Sequence, residues 1–240
     1  MALHEELTRQ GNRLFKLRSY VPLAVLPLLV PAVYELLQGR YAFRWSREWW
    51  AGCLVFSLLG LVVRALAVGY SAPGTSGRNT GGQRAASLNT TGPYSLVRHP
   101  LYLGNFIISL GILAFVGVWW LIALGALLFW MYYERIMYAE EQYLGEKFGD
   151  SFRAWADRTP AVLPRLRAWD KPNTPFSWKK AIRGEYATVL GISVSYALIE
   201  AGLVAVRQHR YVFDTVPLSV LAAGLFIYLT VRIIAKTTSA

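Results

Sequence analysis

The sequence predicts an all-α fold, a polytopic membrane bundle of about six transmembrane helices with an amphipathic segment on its cytoplasmic side. Hydrophobic residues make up 55% of the 240 positions, and they are gathered into long runs without charge. The longest run, residues 101–133, has 33 positions and no Asp, Glu, Lys or Arg. A soluble core helix has no need of more than about 18 such residues in a row. We therefore treat residues 1–240 as a single membrane domain.

The placement of the basic residues predicts both the class of protein and its orientation. The formal charge of +11 would suit a nucleic-acid-binding protein, but the cations flank the apolar runs, so no nucleic-acid partner is expected. Nineteen Lys and Arg fall in the N-terminal segment, residues 71–100, residues 134–183 and the C-terminus. Five fall in the opposite loops: Arg40, Arg44, Arg47, Arg207 and Arg210. The positive-inside rule then places both termini and the two large polar segments in the cytoplasm.

The apolar runs divide into six candidate spans. Residues 21–37 form the first, and its three prolines predict a kinked or irregular helix. Residues 49–70 form the second. The run 101–133 is too long for one helix and fits two antiparallel helices that turn near Gly117. Gly104 and Gly111, seven positions apart, predict close helix packing there. Residues 187–206 and 216–234 form the last two spans.

Isolated charges and a single cysteine interrupt these spans. Arg64 is expected either to have a partner or function or to extend towards the headgroups, and the sequence leaves both open. Glu35 and Glu200 are further isolated carboxylates. Cys53 has no partner for an internal disulfide. The mixed-charge residues 1–20 do not have the pattern of a signal peptide.

Two polar segments separate the spans. Residues 71–92 are rich in glycine, and Gly74, Gly77, Gly81 and Gly82 predict a flexible loop without a P-loop or Rossmann fingerprint. Residues 134–183 are basic and aromatic. Their spaced hydrophobic residues predict an amphipathic helix on the membrane or over the protein's own site, ended by prolines. These residues are Tyr143, Leu144, Phe148, Phe152 and Trp155, followed by Pro160 and Pro164.

Two residue clusters on the predicted cytoplasmic side carry the chemistry. In the first, Arg98 and His99 precede Pro100, which suits the first turn of a helix whose N-terminus would attract an anionic group. In the second, Glu140 and Glu141 stand side by side near the membrane surface. Cationic, anionic and aromatic groups at one interface suit a zwitterionic cofactor with an amino group, a carboxylate and a sulfonium. No catalytic triad and no metal-ligand spacing occurs in the sequence.

The order of these motifs resembles a known family. The chain has R-H-P-x-Y-x-G at the start of a membrane helix, a helical hairpin, then E-E, F-G, spaced aromatics and P-x-x-x-P. This order resembles that of the isoprenylcysteine carboxyl methyltransferase and phospholipid N-methyltransferase superfamily of integral membrane methyltransferases. The resemblance covers residues 89–165, the methyltransferase motif core. Residues 184–240 look like an extra C-terminal helix pair without an assigned role.

The resemblance implies S-adenosyl-L-methionine as cofactor, with contacts from His99, Pro100, Tyr102, Leu103, Gly104, Glu140 and Glu141. It implies catalytic roles for Arg135, His99 and Glu141. Eukaryotic isoprenylcysteine enzymes have an arginine four residues before the first glutamate, where this chain has Ile136, so Arg135 would act from a neighbouring face. His99 or Glu141 would remove a proton from an amine acceptor.

The implied acceptor is a lipid or lipid-like molecule with a carboxylate, amine or phosphate. S-adenosylmethionine would enter from the cytoplasm, and the acceptor would enter laterally from the bilayer. Three alternatives stay open at this point: an NADPH-dependent sterol or steroid-type reductase, a transporter that uses the intramembrane charges, and a catalytically silent membrane scaffold. The sequence gives no indication of the oligomeric state.

Overall fold

The computed structural model describes residues 2–18, 20–72, 75, 85–208 and 215–237. The four loop glycines expected to be flexible, Gly74, Gly77, Gly81 and Gly82, lie outside the described residues, as does Arg210. Within the described ranges all regular secondary structure is helical. The nine α-helices found there are α1 (Leu3–Leu17), α2 (Leu26–Leu37), α3 (Arg47–Tyr70), α4 (Pro93–Leu96), α5 (Pro100–Val116), α6 (Trp119–Phe148), α7 (Asp150–Arg158), α8 (Trp178–Gln208) and α9 (Thr215–Thr237).

The all-α membrane bundle predicted from the sequence is confirmed. In the described part of the chain, four helices, α3, α6, α8 and α9, are long and apolar enough to cross a bilayer. α2 and α5 are shorter apolar helices. Large apolar side chains point outwards along α3 and α9, including Leu59 at 54% and Phe226 at 71% exposure. Such surfaces are uncommon on soluble proteins and suit contact with lipid tails.

The breaks predicted inside the first and third apolar runs are present. A short 3-10 turn over Val21–Val25 precedes α2, and Pro31 lies inside that helix. α5 ends at Gly117, whose backbone is in the left-handed region with φ of 89°. A side chain there would be strained, and the reversal lets α6 return antiparallel to α5.

α3 and α5 cross closely through glycines, as Gly104 and Gly111 predicted. A Cβ on Gly104 would lie 2.7 Å from the Gly60 carbonyl oxygen and 2.5 Å from the Arg64 Cγ. A Cβ on Gly111 would lie 2.2 Å from the Ser57 hydroxyl oxygen. The small residues let the two backbones approach, and this contact fixes the C-terminal end of α3 beside the N-terminal end of α5.

The amphipathic segment takes a different form from the single helix predicted. Its first half continues α6 without interruption as far as Phe148. Gly149 then adopts φ of 54° and ψ of −125°, which ends α6 and starts α7 in a new direction. Phe152 and Trp155 on α7 are buried, whereas the Phe148 end of α6 is more open. Because of this break α7 folds back against the bundle.

The N-terminal segment forms an amphipathic helix, α1, that packs along α6. The Tyr132 hydroxyl donates to the Leu14 carbonyl oxygen at 2.9 Å. Gly11 packs so closely that an added Cβ would lie 2.1 Å from the carbonyl oxygen of Arg135. α1 therefore ends beside the same end of the bundle where α3 ends and α5 and α8 begin. We call this the site end.

Glu35 and Glu200, the isolated carboxylates of the first and fifth spans, have partners towards the opposite end of the bundle. Arg44, only 1% exposed, donates to Glu200 at 2.5 Å and stacks over Phe115. Glu35 accepts from the Trp120 indole at 2.6 Å. Arg44 is therefore an internal structural charge, although the charge count placed it in a loop.

Candidate active site

A cavity of about 650 Å³ lies at the site end of the bundle. Its walls come from the C-terminal ends of α1 and α3, the N-terminal ends of α5 and α8, the later part of α6, α7, and residues 85–89. With Tyr94 of α4, seven helices and a loop thus contribute to one cavity. Both clusters predicted to carry chemistry contribute to it.

Arg98 forms hydrogen bonds to two of the elements around this cavity, α6 and the end of α7. Its Nε and Nη2 donate to the two carboxylate oxygens of Glu141 at 2.8 and 3.3 Å. Its Nη1 donates to the carbonyl oxygens of Ala156 and Thr159 at 2.8 and 3.0 Å. Every nitrogen of the guanidinium is engaged, so Arg98 ties α6 and the end of α7 to the start of α5.

His99 is buried, and both of its ring nitrogens face the acidic pair. Its Nε2 lies 2.8 Å from Glu141 Oε1. A carboxylate only accepts, so the hydrogen-bond network assigns the Nε2 hydrogen as the donor. Nδ1 lies 3.9 Å from Glu140 Oε2. Glu141 thereby fixes the orientation of the imidazole.

The two adjacent glutamates have different surroundings. Glu140 lines the cavity, and its Oε2 accepts a hydrogen bond from the Tyr102 hydroxyl at 2.9 Å. Glu141 lies behind it, bound by Arg98 and His99. Neighbouring helix positions point about 100° apart, so one carboxylate reaches the cavity while the other supports its wall. The acidic group available to a ligand is therefore Glu140.

Aromatic side chains form another part of the wall. Tyr94 on α4 and Trp155 on α7 line the cavity, and the Trp155 indole donates to the Tyr94 carbonyl oxygen at 3.1 Å. Burial raises the pKa of the Tyr94 phenol, with a further contribution from the Glu140 charge, so the phenol is neutral at physiological pH. Pro100 and Leu101, in the first turn of α5, also line the cavity and bring the positive end of that helix to it.

α8 closes the cavity through a buried ion pair. The Arg64 guanidinium on α3 donates to both oxygens of Glu185 on α8 at 2.8 and 2.9 Å. It also donates to Asn105 on α5 at 2.5 Å, and Asn105 donates to the Tyr133 hydroxyl at 3.2 Å. All four of these polar side chains line the cavity. Arg64 therefore has a partner, which answers the question that the sequence left open.

The structure brings together most of the residues that the resemblance implied. His99, Pro100, Tyr102 and Glu140 line the cavity. Glu141 contacts His99 from behind. Leu103 lies in a small separate cleft of about 40 Å³ between α5 and α6. Gly104 faces α3 at the helix crossing.

Arg135 lies away from the cavity. Its Nε donates to Gln10 on α1 at 3.1 Å, and its Nη1 donates to the Met131 carbonyl oxygen at 2.5 Å. Ile136, at the position where the resemblance implied an arginine, is fully buried. A direct part for Arg135 in methyl transfer therefore stays a prediction, and the geometry instead gives this side chain a contact that joins α6 to α1.

The sequence interpretation missed the contribution of α8 and α1. Glu185 was overlooked, although a carboxylate at the start of one apolar span and a guanidinium within another are a recognisable signal for an ion pair. Lys180, Arg183 and Arg18 also line the cavity. Their signal was available only as basic residues next to membrane spans, which is equally typical of topology anchors.

Comparison with known proteins identifies relatives of part of the chain. Residues 48–151 match the family described as phospholipid methyltransferase. A nickel-cobalt-cadmium resistance protein of Alcaligenes xylosoxydans is 34% identical over 132 residues, which are 55% of this chain and 59% of that protein. A cobalt-zinc-cadmium resistance protein of Cupriavidus metallidurans is 33% identical over 132 residues, 55% of this chain and 58% of that protein.

A third relative is an enzyme. The protein-S-isoprenylcysteine O-methyltransferase of Schizosaccharomyces pombe is 36% identical over 79 residues, 33% of this chain and 34% of that enzyme. The chain thus spans less than three fifths of the two resistance proteins it matches and about a third of the yeast enzyme. No solved structure shows significant similarity to it.

Proposed function

Residues 48–151 match the phospholipid methyltransferase family, and part of the chain is similar to an isoprenylcysteine methyltransferase. From these similarities we propose that the chain is a membrane methyltransferase of that superfamily. Its cofactor is S-adenosylmethionine and its acceptor is a lipid or lipid-like molecule. The observation that carries the proposal is the meeting of Glu140, Tyr102 and His99 with the first turn of α5 in one cavity.

The residues of the cavity fit S-adenosylmethionine. The volume of about 650 Å³ is within the range of about 300–1,000 Å³ typical of small-molecule sites. Glu140 offers a carboxylate to an ammonium group, and the N-terminal end of α5 offers a positive dipole to a carboxylate. Tyr94 and Trp155 offer aromatic surface to a purine ring. When bound, this cofactor supplies a methyl group already activated on a sulfonium.

The protein's own residues hold and shield the reactants. Glu141 orients His99, and Arg98 fastens α7 so that Trp155 covers the cavity. Fixing the reacting groups in line and excluding water supplies much of the rate in such displacements. Because both oxygens of Glu141 already accept hydrogen bonds, we assign it to positioning His99.

The need for a base depends on the acceptor. A carboxylate or phosphate acceptor is already anionic and reacts without losing a proton. An amine acceptor must lose one, and His99 Nδ1 and Glu140 are the groups on the cavity side that would take it.

An apolar chain has a route to the same residues. The small cleft between α5 and α6 is lined by Phe106, Phe129 and Trp130. His99, Tyr102 and Tyr133 line both this cleft and the main cavity. A lipid acceptor would lie with its tail against this cleft and its headgroup in the cavity. We place the site end in the cytoplasm, where the cofactor is made, on the basis of the positive-inside rule.

Transfer of a tritiated methyl group tests the proposed function. The purified protein, in detergent with added bacterial lipids, receives S-adenosylmethionine labelled on its methyl group. We expect the label to enter the organic extract, and Glu140→Gln to reduce that transfer about 100-fold, since a charged contact is lost. Equal labelling of a water-soluble acceptor without a lipid tail would contradict the choice of a lipid acceptor.

A further inference from the structure

The start of α8 brings positive charge to the cavity from outside the segment shared with the methyltransferase family. Lys179, Lys180 and Arg183 line the cavity, and Arg18 joins them from the end of α1. All four lie beyond residues 48–151, the part that matches the family. The family match therefore does not account for these four cations.

The charge balance of the cavity is strongly positive. Six basic and two acidic side chains line it. Of the six basic side chains, Arg64 and Arg98 lie within residues 48–151, and both are already bound to carboxylates. Within the described part of the chain, no carboxylate lies at ion-pair distance from Lys179 or Lys180.

Part of the cavity wall comes from one face of α8. Lys179, Arg183 and Tyr186 are spaced four and three residues apart, on one helical face, and all three line the cavity. The neighbouring apolar residues Trp178 and Ile182 are 73% and 50% exposed. Arg183 is partly buried on this side of α8, and Lys179 lies at its exposed edge.

We infer that the methyl acceptor carries an anionic headgroup, a phosphate or a carboxylate, which Lys179 and Arg183 bind with help from Arg18. This inference rests on the proposed function and narrows it, because an amine acceptor would be repelled by the same charges. It also gives α8 a role: the helix selects the acceptor headgroup, while the shared core holds the cofactor.

The basic residues are proposed to bind the acceptor headgroup, so the test measures ligand binding and requires no catalytic turnover. The full chain in uncharged detergent is titrated with dodecyl phosphate, dodecanoate, dodecylamine and dodecanol, which share one tail. A separate titration with inorganic phosphate distinguishes a lipid headgroup from a free anion. We expect dodecyl phosphate and dodecanoate to bind about tenfold more tightly than dodecanol and dodecylamine. Inorganic phosphate should bind much more weakly than dodecyl phosphate.

Charge reversal identifies the residues responsible. Lys179→Glu combined with Arg183→Glu should weaken dodecyl phosphate binding about 100-fold, whereas Lys171→Glu, an exposed residue away from the cavity, should change nothing. Lys180 is left intact because its ammonium donates to the Ser71 carbonyl oxygen and supports the end of α3.

The outcomes separate this inference from the proposed function. Equal binding of dodecanol and dodecyl phosphate would contradict an anionic acceptor headgroup. Equal binding of dodecyl phosphate by the double variant and by Lys171→Glu would contradict the part assigned to Lys179 and Arg183. Tighter binding of inorganic phosphate than of dodecyl phosphate would show that the site takes a free anion rather than a lipid headgroup. The affinity for S-adenosylmethionine, measured on the same samples, should not be weakened in either variant, because the substitutions remove cations and leave Glu140 in place. Its absence in the wild type would overturn the proposed function, and with it the assignment of the bound anion as a methyl acceptor, whatever the alkyl ligands show.

Discussion

Replacing Glu140 by glutamine will weaken the binding of S-adenosylmethionine about 100-fold. The substitution keeps the shape of the side chain and an oxygen that accepts from Tyr102, but it removes the charge that faces the cavity. A charged hydrogen bond to an ammonium group in a partly buried site is worth about 1.5–3 kcal/mol, and its loss also removes longer-range attraction. Isothermal titration of the detergent-purified variant with the cofactor measures the loss.

Two further variants define the origin of this effect. Glu134→Gln is the matched control, because Glu134 lies on the same helix and is exposed outside the cavity. It should bind the cofactor like the wild type. His99→Ala should weaken binding by a similar factor to Glu140→Gln, since it removes a buried cavity residue held by Glu141. Normal affinity in both Glu140→Gln and His99→Ala would show that the cofactor lies elsewhere.

Replacing Arg64 by methionine will lower the free energy of unfolding by about 3–5 kcal/mol. The change leaves Glu185, only 4% exposed, without the guanidinium that binds both of its oxygens. An uncompensated buried carboxylate is far more costly than the loss of the pair as a whole. The double variant Arg64→Met with Glu185→Leu should therefore recover most of the stability.

Unfolding of the detergent-solubilised protein, followed by circular dichroism, measures this cycle. Arg153→Met provides the control, because Arg153 pairs with Asp150 where both side chains are largely exposed, 75% and 99%. Exposed pairs are worth at most about 1 kcal/mol, so the control should unfold like the wild type. A double variant as unstable as Arg64→Met would mean that packing at Arg64, rather than charge, holds α8 against α3.

The membrane helices could be predicted from the sequence because the patterns that indicate them are local. A run of 33 uncharged residues with Gly117 near its middle requires a helical hairpin, and that hairpin is α5 and α6. Gly104 and Gly111 likewise marked the α3–α5 contact. The meeting of His99 and Glu140 came from the resemblance and from no local signal, since 41 positions separate these two residues.

The rest of the site depends on tertiary contacts that one sequence leaves unspecified. Arg64 and Glu185 are 121 positions apart, and each had several candidate partners. α1 has no long apolar run, so its stability comes from packing against α6 around Gly11. Arg135 and Ile136 are neighbours, yet one faces α1 and the other is buried, because a helix turns by about 100° per residue.

Binding of tritiated S-adenosylmethionine by the purified wild-type chain, with unlabelled NADPH as competitor, tests the central claim most directly. We expect saturable binding at about one site per chain, competed by unlabelled S-adenosylmethionine and unaffected by NADPH. Saturable binding of NADPH in the same cavity, with no binding of S-adenosylmethionine in the presence of added lipid acceptor, would contradict the methyltransferase function and favour a membrane reductase.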